Sequence, residues 1–303
     1  NFMTGEAISD DKYLNEFIKY YRLVSNFEKR NADGFKPAKQ YFDKITSLKD
    51  INDWQEKLYD LTMMGLPNPF PLYVEPDMKD TQHYALYASV PSLILPDKTY
   101  YEENHPQAEA LLSVYRQMVL ALFERAGYDN DFAQATLEKA LAFDKSLAPV
   151  QKDSTERADY AKSYNKYSFE DYTAFSKSVD LGAFAKKLIG QTPDQVIVDE
   201  PKYYEVLETL INPDTFENFK SWLLVKTLIS VSALLDDDTR VLAGTYSRAL
   251  SGSKEAMKAP KAAFYLATGQ FSQVVGLYYA HKYFGAKAKA DVRSEEHTSE
   301  LQS

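Results

Sequence analysis

Apolar residues along this chain recur mostly at steps of three and four. Over residues 13–30, Leu14, Phe17, Ile18, Tyr21, Val24 and Phe27 make one stripe with Lys and Glu elsewhere, which predicts an amphipathic helix. Asn31 to Pro37 interrupts it, and Lys39 to Ile45 resumes helix. Asp50 or Asp53 can cap a further helix that ends near Gly65. From Pro106 to Ala126 a long helix is predicted, with Ala108, Leu111, Leu112, Tyr115, Met118, Val119 and Leu122 as its apolar set. Residues 130–148 form another, closed by Pro149; Asp144 lies among its apolar members and is expected to face outward. Ser168 with Asp171 marks a capped start to a helix over roughly 169–178, and LGAFAKKLIG makes a short one. Residues 215–235 are the most apolar helix, yet Lys220, Lys226 and the acidic run after it argue against a membrane span. Helix is expected to continue over 236–250, and residues 271–292 supply the last one.

Strand signals are few. Pro67, Pro69, Pro71 and Pro76 rule out a regular helix through the 66–76 stretch, leaving Leu72–Glu75 as a short extended piece. Residues 82–95 alternate well enough for a strand or two, with a break or edge at Pro91. Val196, Ile197 and Val198 form a short extended run before Pro201. The pattern therefore predicts a mainly α multi-helix domain with minor β content. The SGSKEAMKAPK stretch suggests a boundary near 250–262, so residues 1–260 read as an N-terminal helical domain and 261–292 as the start of a further segment.

Composition narrows the class. The 303 residues hold 44 acidic and 35 basic side chains, 45% hydrophobic content and no cysteine. That apolar fraction is too high for a disordered chain, and a net charge of −9 argues against a nucleic-acid partner. Without cysteine there is no disulfide scaffold, thiol nucleophile or thiolate-held metal, which fits a reducing, cytoplasmic compartment. The last eleven residues, RSEEHTSELQS (293–303), resemble the forward translation of a widely used short-read sequencing adapter, and are expected to be an artefact. Without them the chain has 34 basic and 41 acidic residues, net −7, and three histidines.

Catalytic constellations do not emerge from spacing. His83, His105 and His281 lie 22 and 176 residues apart, so none forms an HExxH or a zinc-spaced pair. His281 reads as a structural or surface histidine beside aromatics, His83 as a surface or strand residue, and His105, before Pro106, as a residue that starts a helix. Asp236–Asp238 could suggest calcium, but consecutive carboxylates on a helix diverge, so a solvated surface is the better reading. The tyrosine pairs 20/21, 100/101, 203/204 and 278/279 suit either a peptide-binding cavity or helix packing with hydroxyls at the surface, and spacing does not distinguish these.

Particular strings say more. VPSLILPDKTYYEENHPQ (90–107) resembles the LPD-x-x-YY signature of the neprilysin-like zinc metallopeptidases, the family of neprilysin, endothelin-converting enzyme and bacterial oligoendopeptidase PepO. ATLEKALAFDKSLAP, TFENFKSWLLVKTLISVSALL and FSQVVGLYYAHKYFGAKAKADV are similar to family blocks in the same order, and the wording looks closest to the PepO branch of lactic-acid bacteria. The resemblance implies a helical domain that covers the chamber of a two-part metalloendopeptidase and limits access to oligopeptides. It implies zinc in the full-length enzyme, held by an HExxH and a later E-x-x-x-D in a catalytic domain in cis. Neither motif occurs here, so no catalytic, cofactor-binding or metal residue is assigned, and the chain as given is expected to be inactive. The alternative is a standalone, non-catalytic helical peptide-binding or interaction domain.

Overall fold

Side-chain caps decide where most helices begin. In the computed structural model, which describes residues 10–284, Asp11 accepts from the N–H groups of Tyr13 and Leu14 and opens α1 (Lys12–Val24). The stripe read over 13–30 is in fact two helices, because Asn26 accepts from the N–H of Lys29 at 3.0 Å and opens α2 (Phe27–Asp33). α3 (Lys39–Thr46) follows, and Asp50 caps α4 (Ile51–Met63). After Gly65 turns the chain at φ +73°, two strands are laid down, β1 (Leu72–Asp77) and β2 (Asp80–Ala88). The strand predicted over 82–95 thus ends at Ala88, ahead of Pro91.

α5 (Ala108–Arg125) and α6 (Asn130–Leu147) are the long helices expected from periodicity. α7 (Ser154–Ala158) starts with a capping box formed by Asp153 and Glu156. β3 (Asn165–Ser168), which the hydrophobic pattern does not reveal, leads into α8 (Phe169–Thr173), with Ser168 as the cap. α8 is shorter than predicted, because Glu208 captures the next turn. Its carboxylate accepts from the hydroxyls of Ser176 and Ser178 and from the N–H groups of Lys177 and Ser178.

α9 (Leu181–Ile189), β4 (Gln195–Val198), α10 (Pro201–Glu205) and α11 (Leu207–Leu210) lead to α12 (Phe216–Ser232). The helix expected to run on through 236–250 is broken. Asp236 is a cap, accepting from Thr239 N–H at 2.9 Å, and starts α13 (Asp237–Ala243); α14 (Thr245–Ser251) follows. The last described helices are α15 (Ala259–Gln270) and α16 (Ser272–Tyr283). The 285–292 part of the last predicted helix, and the 293–303 string, lie outside the described residues.

The chain divides into two compact units, Asn1–Ala32 with Ala256–Ser303, and Asp33–Glu255. In the first, Leu14, Phe17, Ile18 and Ala267 are buried together, with Phe271, Val274 and Tyr278 packed on them. In the larger unit the strands run in the order β1-β2-β4-β3, with β2 and β4 parallel and the other neighbours antiparallel. Val196, Ile197 and Val198 are all fully buried, as suits an inner strand covered on both faces. Leu86, Ala88, Val196 and Val198 face the main core, while Ala85, Tyr87 and Ile197 form a smaller cluster on the other side.

α12 packs on α6, α5 and α3. Its buried residues include Phe219, Trp222, Leu223, Leu224, Val225 and Leu228, which surround the helix on every side and explain why it reads as apolar throughout. Among the described residues no helix is long and apolar enough to cross a membrane.

Candidate functional site

A segment without regular strand or helix runs from Ser89 to Asp97, between β2 and a 3₁₀ turn over Lys98–Tyr101. Such a segment leaves backbone N–H and C=O groups without ladder partners, and buried ones must be satisfied otherwise. Side chains from distant parts of the sequence do this. Tyr204 donates to Ser89 O at 2.6 Å, Gln151 Nε2 to Pro91 O at 2.8 Å, Lys226 Nζ to Ser92 O at 2.5 Å and Tyr246 to Ile94 O at 2.7 Å.

Asp144 stands at the centre. The sequence pattern put it on the outer face of its helix, but it is 1% exposed. Both its carboxylate oxygens accept from Ile94 N–H, at 3.0 and 3.2 Å, and it also accepts from the Tyr101 hydroxyl and from Trp222 Nε1 at 3.2 Å. The expectation failed because a polar residue among apolar neighbours reads as solvent-facing, whereas here its donors arrive from three other segments. Burial raises its pKa, against the lowering effect of the Tyr101 hydrogen bond and the Lys226 charge.

The second half of the motif is fixed in the same way. Burial pushes the Asp97 carboxyl upward, but the N–H groups of Thr99 and Ser154 outweigh it and its pKa falls. Glu200, 5% exposed, accepts from Lys152 N–H at 2.6 Å and Arg157 Nε at 3.1 Å, and Arg157 also donates to Gln151. The segment from Ser89 through the LPD-x-x-YY string is therefore anchored, its first part from α10, α12, α14 and the loop after α6, and the string itself from α6 through Asp144 and from α7 through Ser154.

Two cavities flank it. One, of about 640 Å³, is lined by Tyr73, Tyr87, Arg157, Tyr160, Asp199 and Glu200 among others. Tyr73 and Tyr87, cross-strand partners, stack with centroids 5.1 Å apart, and the Tyr73 hydroxyl reaches over to Asp199 at 3.0 Å. Burial raises the Asp199 pKa, partly offset by the hydrogen bonds from Tyr73 and Ser89. The other cavity, of about 470 Å³, lies beside Tyr115, Trp222, Lys226, Ile229 and Tyr246. Desolvation brings the Lys226 pKa down to about 8 against the opposing pull of Asp144.

The residues singled out from sequence fall elsewhere. His83 is exposed on β2, with Nδ1 2.7 Å from Asp80. His105 lies against the Tyr100 ring and its Nδ1 accepts from Gln107 N–H near the start of α5, while His281 is exposed on α16. Asp237 pairs with Arg240, and Asp236 is the cap already described. None of the four tyrosine pairs lines either cavity. Tyr203 and Tyr204 are fully buried, with hydroxyls on backbone carbonyls, not at the surface. The cavity tyrosines are single residues contributed by five different segments, which no spacing rule connects. Among the described residues no group of three or more His, Asp or Glu side chains could hold a metal. This donor set does not fit zinc.

The fold, the anchored motif and the order of the blocks meet in one family. A model of the N-terminal part of peptidase family M13 matches residues 4–301, and the chain belongs to that family. It is 36% identical over 286 residues to a neutral endopeptidase of Lactococcus lactis subsp. lactis, covering 94% of this chain and 45% of that protein. It is 35% identical over 292 residues to a neutral endopeptidase of Lactobacillus helveticus, covering 96% and 45%. The crystal structure of PepO from Lactobacillus rhamnosis HN001 superposes with a TM-score of 0.85 at 26% identity, over 97% of this chain and 46% of that one. The chain spans about half the length of the curated relatives it matches.

Proposed function

We propose that this chain is a non-catalytic helical peptide-contacting module of an M13 peptidase. In a protein of the relatives' full length it would shape the substrate chamber and limit access to oligopeptides, while a zinc-bearing catalytic half follows in cis. The observation that supports peptide contact is the pair of cavities on either side of a backbone segment that four side chains hold by its carbonyls. Concave, aromatic-lined sites with few fixed polar groups are the usual form of a binding site.

The relatives named neutral endopeptidase supply the peptide substrate class. Residues 1–260 would be the chamber-covering domain and 261–292 the start of the segment leading to the catalytic half. A cytoplasmic location, and an adapter origin for 293–303, belong to the same proposal; cell fractionation and resequencing of the gene's end test them.

The direct experiment measures oligopeptide binding and hydrolysis by the chain, with and without a chelator. Binding without cleavage is expected. Hydrolysis abolished by the chelator would overturn the non-catalytic reading. Reading the gene past the Val292 codon distinguishes the two settings: a downstream HExxH supports the chamber role, and an early stop codon supports the standalone domain.

A further inference from the structure

The smaller cavity has a chemical polarity of its own. Pro67, Pro91, Tyr115, Trp222, Ile229 and Tyr246 make most of its wall apolar. Lys226 is the one cation among its described lining residues, and none of them is a carboxylate. The Lys226 ammonium lies 4.5 Å from the Trp222 ring centroid and donates to Ser92 O at 2.5 Å and Ser92 Oγ at 3.2 Å. An ammonium carries three donors, so these two bonds leave one to offer. Asp144, the acid whose charge reaches Lys226, accepts from Ile94, Tyr101 and Trp222 and does not line the groove. The groove thus joins apolar surface to a positive charge without a carboxylate in its wall.

We propose that this groove binds the C-terminal end of an oligopeptide, with an apolar terminal side chain against the half-buried Leu93 and Ile229 and the α-carboxylate on Lys226. Charge complementarity selects an anion, and the apolar wall selects its body. A C-terminal residue carries both on one Cα, so a single residue satisfies the two demands. The volume, about 470 Å³, is in the range of small-ligand sites. This inference rests on the peptide-contacting reading above and names which end of the peptide this groove takes.

The test uses the full chain and one apolar tetrapeptide with an N-terminal fluorophore, in three forms: free acid, C-terminal amide, and amide with glutamate as its last residue. Anisotropy reports any binding, and its dependence on Lys226 reports this groove. The free acid should bind about tenfold more tightly than the plain amide. Lys226→Met should erase the difference, and Lys226→Arg should retain it. Ile229→Glu, which leaves Lys226 and its bonds in place, should disfavour the acid and thereby test the charge argument if the methionine variant fails to fold. Equal binding of acid and amide to the native chain would overturn this inference while leaving the peptide-contacting reading intact. An amide ending in glutamate that matches the free acid would overturn the α-carboxylate assignment. Absence of binding by all three would overturn both readings.

Discussion

Asp144 on α6 and the N–H of Ile94, fifty positions apart, are joined by that one donor reaching both carboxylate oxygens, at 3.0 and 3.2 Å. The bond ties an irregular segment to the helix that packs on α12, and Trp222 of α12 completes the link through its own N–H. Both cavities have a wall in that segment, so their shape depends on a carboxylate that contacts neither of them directly.

Asp144→Asn should therefore be costly. Ile94 N–H, Tyr101 O–H and Trp222 N–H all donate to Asp144, and an amide has to turn its NH₂ toward at least one of them. A buried donor left without an acceptor, in a network that has also lost its charge, costs about 2–4 kcal/mol. Urea unfolding of the two proteins measures it. A loss below about 0.5 kcal/mol would mean that the segment is held mainly by its other four anchors.

Much of this was legible beforehand and some of it was not, for physical reasons. Helix starts at Asp50 and Ser168 were readable because caps act within four residues, whereas Pro106, expected in a first turn, stands two positions before α5 begins at Ala108. The core character of 215–235 was readable because a helix apolar on all sides has few other uses. β3 was missed because Asn165–Ser168 alternates without apolar residues strong enough to signal a strand, and it owes its pairing to β4. Asp144 was misplaced, and the cavity tyrosines were overlooked, because their partners come from segments tens of residues away. Local pattern carries no information about such meetings.

Glu208 gives a pH dependence with a definite sign. The two hydroxyls and two N–H groups of Ser176–Ser178 lower its pKa from about 4.5 to about 2, with the Ser178 hydroxyl the largest contributor. The folded state thus holds the proton less tightly than the unfolded one, so the stabilisation is present above pH about 4.5 and is lost as pH falls toward about 2. Glu208→Gln should lower stability at neutral pH by about 1–2 kcal/mol, discounted for the partial exposure of the site. It should also flatten the loss of stability between pH 4.5 and 2. Thermal unfolding across that window checks both, and an unchanged acid slope would remove Glu208 from the explanation.

Gly182 is required by space, not by backbone angle. A Cβ there would stand 2.5 Å from Cγ2 of Thr173, the last residue of α8, so the methyl or the helix must move. Threonine is stiff at χ1 and cannot swing aside freely. Gly182→Ala should cost about 1–3 kcal/mol as an overpacked contact. Thr173→Ser, which deletes the obstructing methyl, should recover most of that loss in the double variant. Additive effects of the two substitutions would show that the clash is not the cause.

The C-terminal helix of the described chain supplies the last expectation. No residue of α16 is buried, and Leu277, Tyr279 and Tyr283 are 60%, 55% and 62% exposed. Phe284 is 51% exposed, and the Tyr279 ring meets those of Tyr283 and Phe284 with centroids 4.7 and 5.9 Å apart, an exposed apolar cluster of the kind that marks a contact surface. Under the proposed function the occupant is the half of the protein that the relatives possess and this chain does not span. The chain by itself should then bind a hydrophobic dye and associate as its concentration rises. Leu277→Glu with Tyr283→Glu should suppress both without altering the unfolding midpoint of the Asp33–Glu255 unit, which contains neither residue. Sedimentation velocity and dye fluorescence read the outcome. If the double variant associates like the parent, another surface is responsible.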